Sequence, residues 1–116
     1  AKEYYLLSQN DTEKKEYYYA KRTLFNSRIS NQTTQSALFI FLNRTCFNGL
    51  YRVNNKGEFN VPCGKYVSPE IVNERKILFA SELLQGVKIL NRDYKEILLE
   101  VKKDDFVYLD PCYDPL

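Results

Sequence analysis

The stretch that decides the fold of this chain is Phe41–Tyr66, which reads FLNRTCFNGLYRVNNKGEFNVPCGKY. It begins in an apolar run with helical spacing, and that run ends at Asn48-Gly49 because glycine tolerates the left-handed backbone that closes helices. Two short runs, residues 50–53 and 58–61, then flank a turn-forming segment. This order predicts a helix that leads directly into a β-hairpin.

Helices and short strands are predicted on both sides of this stretch. We expect one helix over residues 11–27, capped by Asn10 or Asp11, and a second over about 32–46. The buried face of the second helix would hold Ala37, Leu38, Phe41, Leu42 and Cys46. Further on, the pattern predicts a helix from Ser68-Pro69 to about Gln85, a strand over 87–90, a helix over 94–102 and a strand over 106–109.

Composition limits the classes of protein to consider. The 116 residues fit one domain with a modest core, and the net charge is only +2. Charge is uneven, however, since four basic residues and one acid lie between positions 44 and 65. Such a patch can bind phosphates, although a solvated loop would look the same. Three cysteines without any histidine indicate free thiols and no zinc site, and we expect no metal and no membrane partner.

The segment Asp110-Pro111-Cys112-Tyr113 follows the apolar run 106–109. An acid, a proline and an aromatic residue after a buried strand lie where open α/β sheets bind ligands. A plain turn is the alternative, since aspartate and proline are common turn formers.

Both regions together resemble one family. The tetrapeptide resembles the Asp-Pro-Pro-Tyr signature of amino-group methyltransferases that act on adenine in DNA. Phe41–Tyr66 is similar to the DNA-recognition segment of the Dam-type (D12 class) DNA adenine-N6 methyltransferases, through Leu-Asn-Arg, Phe-Asn-Gly-Leu-x-Arg and Gly-Glu-Phe-Asn-Val-Pro-x-Gly-x-Tyr. The likeness spans about residues 17–116.

The resemblance implies an α/β fold, namely a fragment of a doubly wound, Rossmann-like methyltransferase sheet with a mostly helical target-recognition domain. That recognition domain would cover residues 1–68 and carry the β-hairpin at about 50–66. Residues 69–116 would be part of the catalytic domain. The chain begins with Ala1 and has no methionine, so we expect a piece of a longer protein. The glycine-rich cofactor loop of the family is absent, and the fragment alone should therefore be inactive.

The resemblance also assigns catalytic roles. The Asp110 carboxylate and the Pro111 carbonyl would accept the two N–H bonds of the adenine amine, and Tyr113 would stack on the flipped base. The methyl donor would be S-adenosylmethionine. Asp93 and Tyr94 follow the predicted strand 87–90, at a rim position of a doubly wound sheet, and would contact this cofactor together with Asp110. A helix cap is the alternative role for Asp93. Cys112 departs from the family pattern, in which a second proline fixes the backbone.

Ten residues are expected to contact DNA. The resemblance implies that Arg52 contacts a guanine edge, that Leu50 and Pro62 contact thymine, and that Tyr66 takes part in base recognition. Phe47 would be an intercalating wedge, accompanied by Asn48, unless it packs under the hairpin. The remaining four would hold phosphates: Arg44, Lys56, Asn60 and Lys65.

The predicted function is therefore that of a site-specific DNA adenine-N6 methyltransferase. It would transfer a methyl group from S-adenosylmethionine to a flipped adenine in GATC-like sites of double-stranded DNA. A non-catalytic DNA-binding module on a degenerate methyltransferase scaffold is the alternative, and an RNA adenine methyltransferase is a weaker one. We expect a cytoplasmic protein, and self-association of the fragment through unpaired strand edges.

Overall fold

The computed structural model describes residues 2–7 and 10–110, and this part of the chain is mainly helical. Five α-helices are present in the described ranges: α1 (Lys2–Leu6), α2 (Asp11–Ser27), α3 (Gln32–Thr45), α4 (Glu74–Leu83) and α5 (Tyr94–Leu98). A 3₁₀ turn, Phe47–Gly49, follows α3 directly. The chain forms two compact units, residues 1–80 and 81–116.

Local capping sets the starts of α2 and α3. The Asn10 side chain accepts hydrogen bonds from the backbone N–H groups of Thr12 and Glu13, at 3.0 and 3.3 Å. The Asn31 side chain accepts from the Thr34 N–H at 2.9 Å. These bonds satisfy donors that a helix start leaves unpaired. Both predicted helices are confirmed, whereas α1 was not predicted.

The core of the first unit lies between α1, α2, α3 and the hairpin (residues 50–66). Phe41 occupies its centre, with its ring centroid 5.4 Å from that of Tyr4 and 5.7 Å from that of Tyr17. Of the five residues predicted for the buried face of α3, Ala37 is exposed, so its assignment was wrong. The buried apolar residues are Tyr4, Tyr18, Phe25, Leu38, Phe41, Leu42, Cys46, Phe59, Val61 and Ile71.

The predicted hairpin is present, but its two arms are joined by few backbone bonds. Val53 and Phe59 form an isolated antiparallel bridge. The Asn54 N–H donates to the Glu58 carbonyl at 2.9 Å, and the Asn60 N–H donates to the Arg52 carbonyl at 3.0 Å. Such a short ladder is marginal by itself, so the hairpin depends on what it packs against.

That support comes from polar side chains of α2. The Asn26 amide makes a two-point contact with the Phe59 backbone, donating to its carbonyl at 3.0 Å and accepting from its N–H at 2.8 Å. The Tyr18 hydroxyl and an Arg22 guanidinium nitrogen both donate to the Val61 carbonyl, at 2.9 and 3.1 Å. The second arm of the hairpin is therefore bonded to a helix where a sheet would supply another strand.

Two predicted strands are absent. Residues 87–90 and 106–109 have no regular secondary structure, and neither pairs with a neighbour within the described part of the chain. A strand persists only where an adjacent strand takes up its backbone N–H and C=O groups. The apolar composition of residues 106–109 predicts burial, yet Phe106 is 92 % exposed. The doubly wound sheet is thus not formed by these residues in this chain.

The helix predicted to start at Ser68-Pro69 begins five residues later, at Glu74. The Tyr5 hydroxyl donates to the Pro69 carbonyl at 2.8 Å and accepts from the Ile71 N–H at 3.0 Å, which keeps this backbone out of a helix. Asn73 then provides the cap, since its side chain accepts from the Lys76 N–H at 2.9 Å. The cause is a long-range contact to α1 that sequence periodicity does not contain.

The second unit, residues 81–116, contains α5. α5 is shorter than the predicted helix over 94–102, because the backbone N–H groups of residues 99–101 donate to carbonyls three residues back and no longer four. Lys102 and Asp105 then form a turn in which the Asp105 carboxylate accepts from the Lys102 N–H at 2.8 Å. Arg92 and Glu100 form a salt bridge of 2.7 Å. No helix in the described ranges combines the length and apolarity needed to cross a bilayer.

The support of the hairpin by α2 can be tested at Asn26. Asn26→Ala should lower the free energy of unfolding by about 1–3 kcal/mol, because the Phe59 N–H and C=O would lose their partners in a partly buried setting. Thr23→Ala, at an exposed position of the same helix, is the matched control and should leave stability nearly unchanged. Urea unfolding of the two variants compares them directly. Equal midpoints would contradict the supporting role of Asn26.

Candidate functional site

The end of α3 and the second arm of the hairpin are joined in one short junction. The Phe47 N–H donates to the Pro62 carbonyl at 2.9 Å, and the Gly64 N–H donates to the Thr45 carbonyl at 2.8 Å. Between these bonds, Cys46 and Cys63 face each other as an antiparallel bridge. The 3₁₀ turn is therefore fixed against the hairpin by backbone bonds alone.

Two residues of this turn have left-handed backbone conformations, Asn48 with φ 52° and Gly49 with φ 61°. Glycine adopts this region without steric cost, and asparagine tolerates it better than most residues. The Asn43 side chain donates to the Gly49 carbonyl at 2.8 Å and holds the turn against α3. Phe47, which precedes these residues, is 50 % exposed.

Gly64 allows the closest approach in the junction. A Cβ atom at this position would lie 2.5 Å from Cε2 of Tyr66 and 2.7 Å from the Cys46 carbonyl oxygen. The second distance involves backbone, which cannot rotate away. Only glycine therefore lets the Tyr66 ring and the end of α3 lie this close together.

The tip of the hairpin is closed by Asn54. Its side-chain oxygen accepts from the N–H groups of Lys56 and Glu58 at 2.9 and 3.0 Å, and its amide nitrogen donates to the Glu58 carboxylate at 2.8 Å. This is the local side-chain bonding by which asparagine favours turns. Lys56 is thereby held at an exposed tip.

Arg52 and Asn60 form a pair across the two arms. Arg52 Nε donates to Asn60 Oδ1 at 2.8 Å, and the backbones of the same two residues are bonded at 3.0 Å. The guanidinium is thus oriented at Nε, and within the described ranges its terminal nitrogens make no hydrogen bond. A guanidinium fixed in this way can bind two acceptors side by side.

The ten residues predicted to contact DNA lie outside the core, with Asn60 half-buried and the others exposed. Three of them, Arg44, Asn48 and Tyr66, line one open cavity of about 530 Å³ beside the 3₁₀ turn. Leu50, Arg52, Lys56 and Asn60 belong to the hairpin beyond it. The structure does not test their roles, which stay predictions.

Burial suppresses ionisation near the junction. It raises the pKa of Tyr18, whose hydroxyl donates a hydrogen bond to the Val61 carbonyl. Burial also raises the pKa of the Cys46 and Cys63 thiols. Both thiols are therefore neutral at physiological pH and are poor nucleophiles, since the thiolate is the reactive form.

The predicted cofactor residues lie in the second unit. Asp93 Oδ1 accepts from the Lys95 N–H at 2.8 Å, so Asp93 caps α5, which was the alternative role considered for it. Tyr94 is half-exposed at the start of α5, and Asp110 is exposed. Pro111, Cys112 and Tyr113 lie outside the described residues. In the described ranges, no group of three His, Cys, Asp or Glu side chains could hold a metal ion.

Sequence reasoning missed the supporting residues. Tyr18, Arg22 and Asn26 recur at intervals of four and therefore lie on one face of α2. This row of hydrogen-bonding groups, beside the buried Tyr18 and Phe25, was the sequence signal that could have indicated a polar contact to another segment. The pairing of Asn60 with Arg52 was also missed, because the predicted turn at 54–57 would place Phe59 opposite Arg52, whereas the observed bridge between Val53 and Phe59 places Asn60 there.

Comparison with known proteins places these features in a family. Residues 1–116 match the family described as D12 class N6 adenine-specific DNA methyltransferase. Among relatives, the type II methyltransferase M.MjaIII of Methanocaldococcus jannaschii is 47 % identical over 112 residues, covering 95 % of this chain and 39 % of its own. The type II methyltransferase M1.LlaDCHI of Lactococcus lactis subsp. cremoris is 41 % identical, covering 88 % and 38 %.

A third relative, the DNA adenine methylase of Haemophilus influenzae, is 38 % identical over 107 residues, covering 92 % of this chain and 37 % of its own. The chain therefore spans less than two fifths of the length of each of these relatives.

The close approach at Gly64 leads to a stability prediction. Gly64→Ala should lower the free energy of unfolding by about 1–3 kcal/mol, because the added methyl group would overlap the Cys46 carbonyl and the Tyr66 ring. Ser68→Ala, at an exposed position of the same loop, is the control. Thermal unfolding followed by circular dichroism measures both. A Gly64→Ala variant as stable as the control would show that the junction is looser than described.

Proposed function

Because this chain belongs to the D12 class of N6 adenine-specific DNA methyltransferases, we propose that its first unit reads DNA for a site-specific adenine-N6 methyltransferase. The intact protein would transfer a methyl group to the exocyclic amine of an adenine in double-stranded DNA. The site would be a short palindrome of the GATC kind. The exposed residues of the hairpin and of the 3₁₀ turn support this function.

The Arg52–Asn60 pair is the observation that carries the proposal. A bidentate arginine is the commonest specific contact to the major-groove edge of guanine, and that groove admits a two-stranded ribbon. Arg52 is exposed on one arm of such a ribbon, and Asn60 orients it at a distance of 2.8 Å. Asn60, predicted to hold a phosphate, thereby gains the role of positioning the guanidinium.

The neighbouring residues support recognition of a flipped base. Phe47 presents a half-exposed ring on a turn that backbone bonds hold in place, as a wedge between base steps requires. Leu50 and Pro62 present apolar surface suited to thymine methyl groups, and both are exposed. Lys56 at the tip, with Arg44 and Lys65, would hold phosphates.

Catalysis would depend on Asp110 of the second unit. Its exposed carboxylate would accept a hydrogen bond from the adenine amine, which shifts electron density onto the attacking nitrogen. Pro111 and Tyr113 would complete this site as predicted from the resemblance. Placement of the base opposite Asp110 would account for much of the rate, through orientation and preorganised acceptors.

S-adenosylmethionine is the proposed methyl donor, and it would supply an activated methyl group on a sulfonium. Asp93 and Tyr94 fit its adenosine part, because both side chains are exposed and Asp93 Oδ2 accepts no hydrogen bond within the described ranges. For the intact protein we also propose a Rossmann-like sheet that holds this donor. We propose a cytoplasmic location as well, since the substrate is cellular DNA.

The alternative is a DNA-binding module without catalysis, which Cys112 favours. Cysteine replaces the residue that fixes φ beside the acceptor carbonyl in the family pattern. Both proposals require the same hairpin and differ only at the Asp110 loop. For this chain alone we also propose self-association, supported by the exposed apolar side chains of Ile89, Phe106 and Tyr108.

Arg52→Ala in the intact protein should relax specificity at one base position. The expected loss at the preferred site is about 1–3 kcal/mol of binding, since one bidentate base contact disappears. Lys56→Ala is the matched control on the same hairpin. It should weaken binding to all sequences alike and flatten the salt dependence. Binding to the preferred duplex and to its single-base variants distinguishes the two effects.

Asn60→Ala extends the same experiment. It should reproduce part of the Arg52→Ala loss of discrimination, and Asn60→Asp should restore it, because a carboxylate can also accept from Nε. An Arg52→Ala variant that kept full discrimination would contradict the assignment of this residue to guanine.

Asp110→Ala should strongly lower the single-turnover rate of methyl transfer and leave DNA affinity within a few-fold, since its acceptor acts on the chemical step. Cys112→Pro should keep or raise that rate by fixing the backbone beside the acceptor. Transfer of labelled methyl groups to duplex DNA under single-turnover conditions measures both. An unchanged rate in Asp110→Ala would contradict the catalytic role. A folded Cys112→Pro variant without activity would show that this loop is adapted to cysteine.

A further inference from the structure

A second cavity of about 350 Å³ opens between the start of α2 and the end of the hairpin. Three lysines line it: Lys14 and Lys15 from α2, and Lys65 from the segment beside Tyr66. Asp11 is the one carboxylate among the lining residues. The pocket is therefore cationic, and it lies in the first unit.

Lys14 is the unusual member of this group. Its side chain is only 6 % exposed, and its ammonium donates to the Val67 carbonyl at 3.3 Å. Among the described residues no carboxylate lies within 4.0 Å of it. A buried ammonium is costly unless it is paired with an opposite charge. A bound anion would supply this opposite charge.

The remaining lining does not supply this negative charge. The pKa of the Cys63 thiol is raised by burial, and the nearby Lys15 and Lys14 ammonium groups oppose that rise only in part. Cys63 is consequently neutral at physiological pH. Asp11 offsets one of the three positive charges, so the pocket keeps a net positive charge that an anion can balance.

The position of the pocket indicates which anion it takes. Lys65 and Tyr66 are shared between this cavity and the residues predicted to contact DNA, and Tyr66 also lines the cavity beside the 3₁₀ turn. A duplex lying on the hairpin would continue its sugar–phosphate backbone past these residues. Phosphodiester groups repeat along that backbone, so a fixed cationic pocket beside the reading hairpin would meet one of them.

We propose that this pocket binds one DNA phosphate outside the base pairs read by the hairpin, with Lys14 at its base and Lys15 and Lys65 at its rim. The inference rests on the proposed function and adds Lys14 and Lys15 to the DNA contacts. Such a contact fixes the register of the protein on the duplex and carries no sequence information by itself.

The first experiment measures salt dependence with the intact protein. Lys15→Ala should reduce the slope of log affinity against log salt concentration by about 0.9, as expected for one lost phosphate contact. Lys21→Ala is the matched control, because its ammonium lies on the same helix, 4.7 Å from the Tyr17 ring, and does not line the pocket. The control should leave the slope unchanged. Equal slopes for Lys15→Ala and Lys21→Ala would overturn the proposal.

The second experiment identifies the phosphate. Duplexes carrying the site that the intact protein methylates are prepared with one neutral methylphosphonate at each backbone position in turn. At one position outside the site, neutralisation should weaken binding by the parent protein and have little further effect on Lys15→Ala or Lys14→Met. Lys14→Met keeps an apolar chain of similar length, and thermal unfolding establishes that it folds; should it not fold, Lys15→Ala alone decides.

The outcomes separate this inference from the proposed function. Methylation of DNA without any position that couples to Lys15 would overturn the phosphate pocket alone. Binding of free inorganic phosphate by the intact protein, without a coupled position in the duplex, would also overturn it. A protein that binds no duplex DNA would overturn the proposed function and this inference together.

Discussion

The row of polar side chains on α2 that bonds to the backbone of the hairpin holds the first unit together. Tyr18, Arg22 and Asn26 supply hydrogen bonds to Phe59 and Val61, in the arm whose side chains enter the core. A hairpin with one antiparallel bridge at its centre would be marginal in water. The helix supplies the pairing that a third strand would otherwise provide, and Phe59 and Val61 add buried apolar contacts.

This anchoring explains how an exposed surface can be specific. Arg52 lies on the arm that is not bonded to α2, and it is oriented through Asn60 on the arm that is. The 3₁₀ turn with Phe47 is tied to the same arm through Pro62. The side chains proposed to read bases thus project from a hairpin whose backbone is held in place by α2. Preorganisation of this kind lowers the entropic cost of binding, because less of the surface has to be ordered on contact.

Local signals in the sequence predicted much of the fold. Asn10, Asn31 and the Asn54–Gly57 turn act within a few residues, and the elements that they start or close were placed correctly. The later start of α4 depends on Tyr5, more than 60 residues away in sequence, as its separation of 64 from Pro69 shows. Residues 87–90 and 106–109 have the composition of strands, but a strand also needs a partner, which composition does not provide.

The candidate site, like the fold, could be predicted only in part from the sequence. Six of its ten candidate DNA contacts came from a family resemblance and four from their basic or polar side chains, and all ten lie at exposed or half-buried positions. What that resemblance did not contain was how they are held: the Asn60 bond to Arg52, the support from α2 and the burial of Lys14 are all consequences of packing. Residue types and spacing can indicate a chemistry, whereas the orientation of a guanidinium depends on residues that meet only in the folded chain.

The central claim is that this anchored hairpin directs adenine methylation to one DNA sequence. Sequencing of N6-methyladenine in the DNA of cells that express the intact protein tests it most directly, with cells that lack the protein as reference. The account predicts methylated adenines confined to one short palindrome that contains a guanine for Arg52. Methylated adenines scattered without a common sequence, or none above the reference, would contradict it.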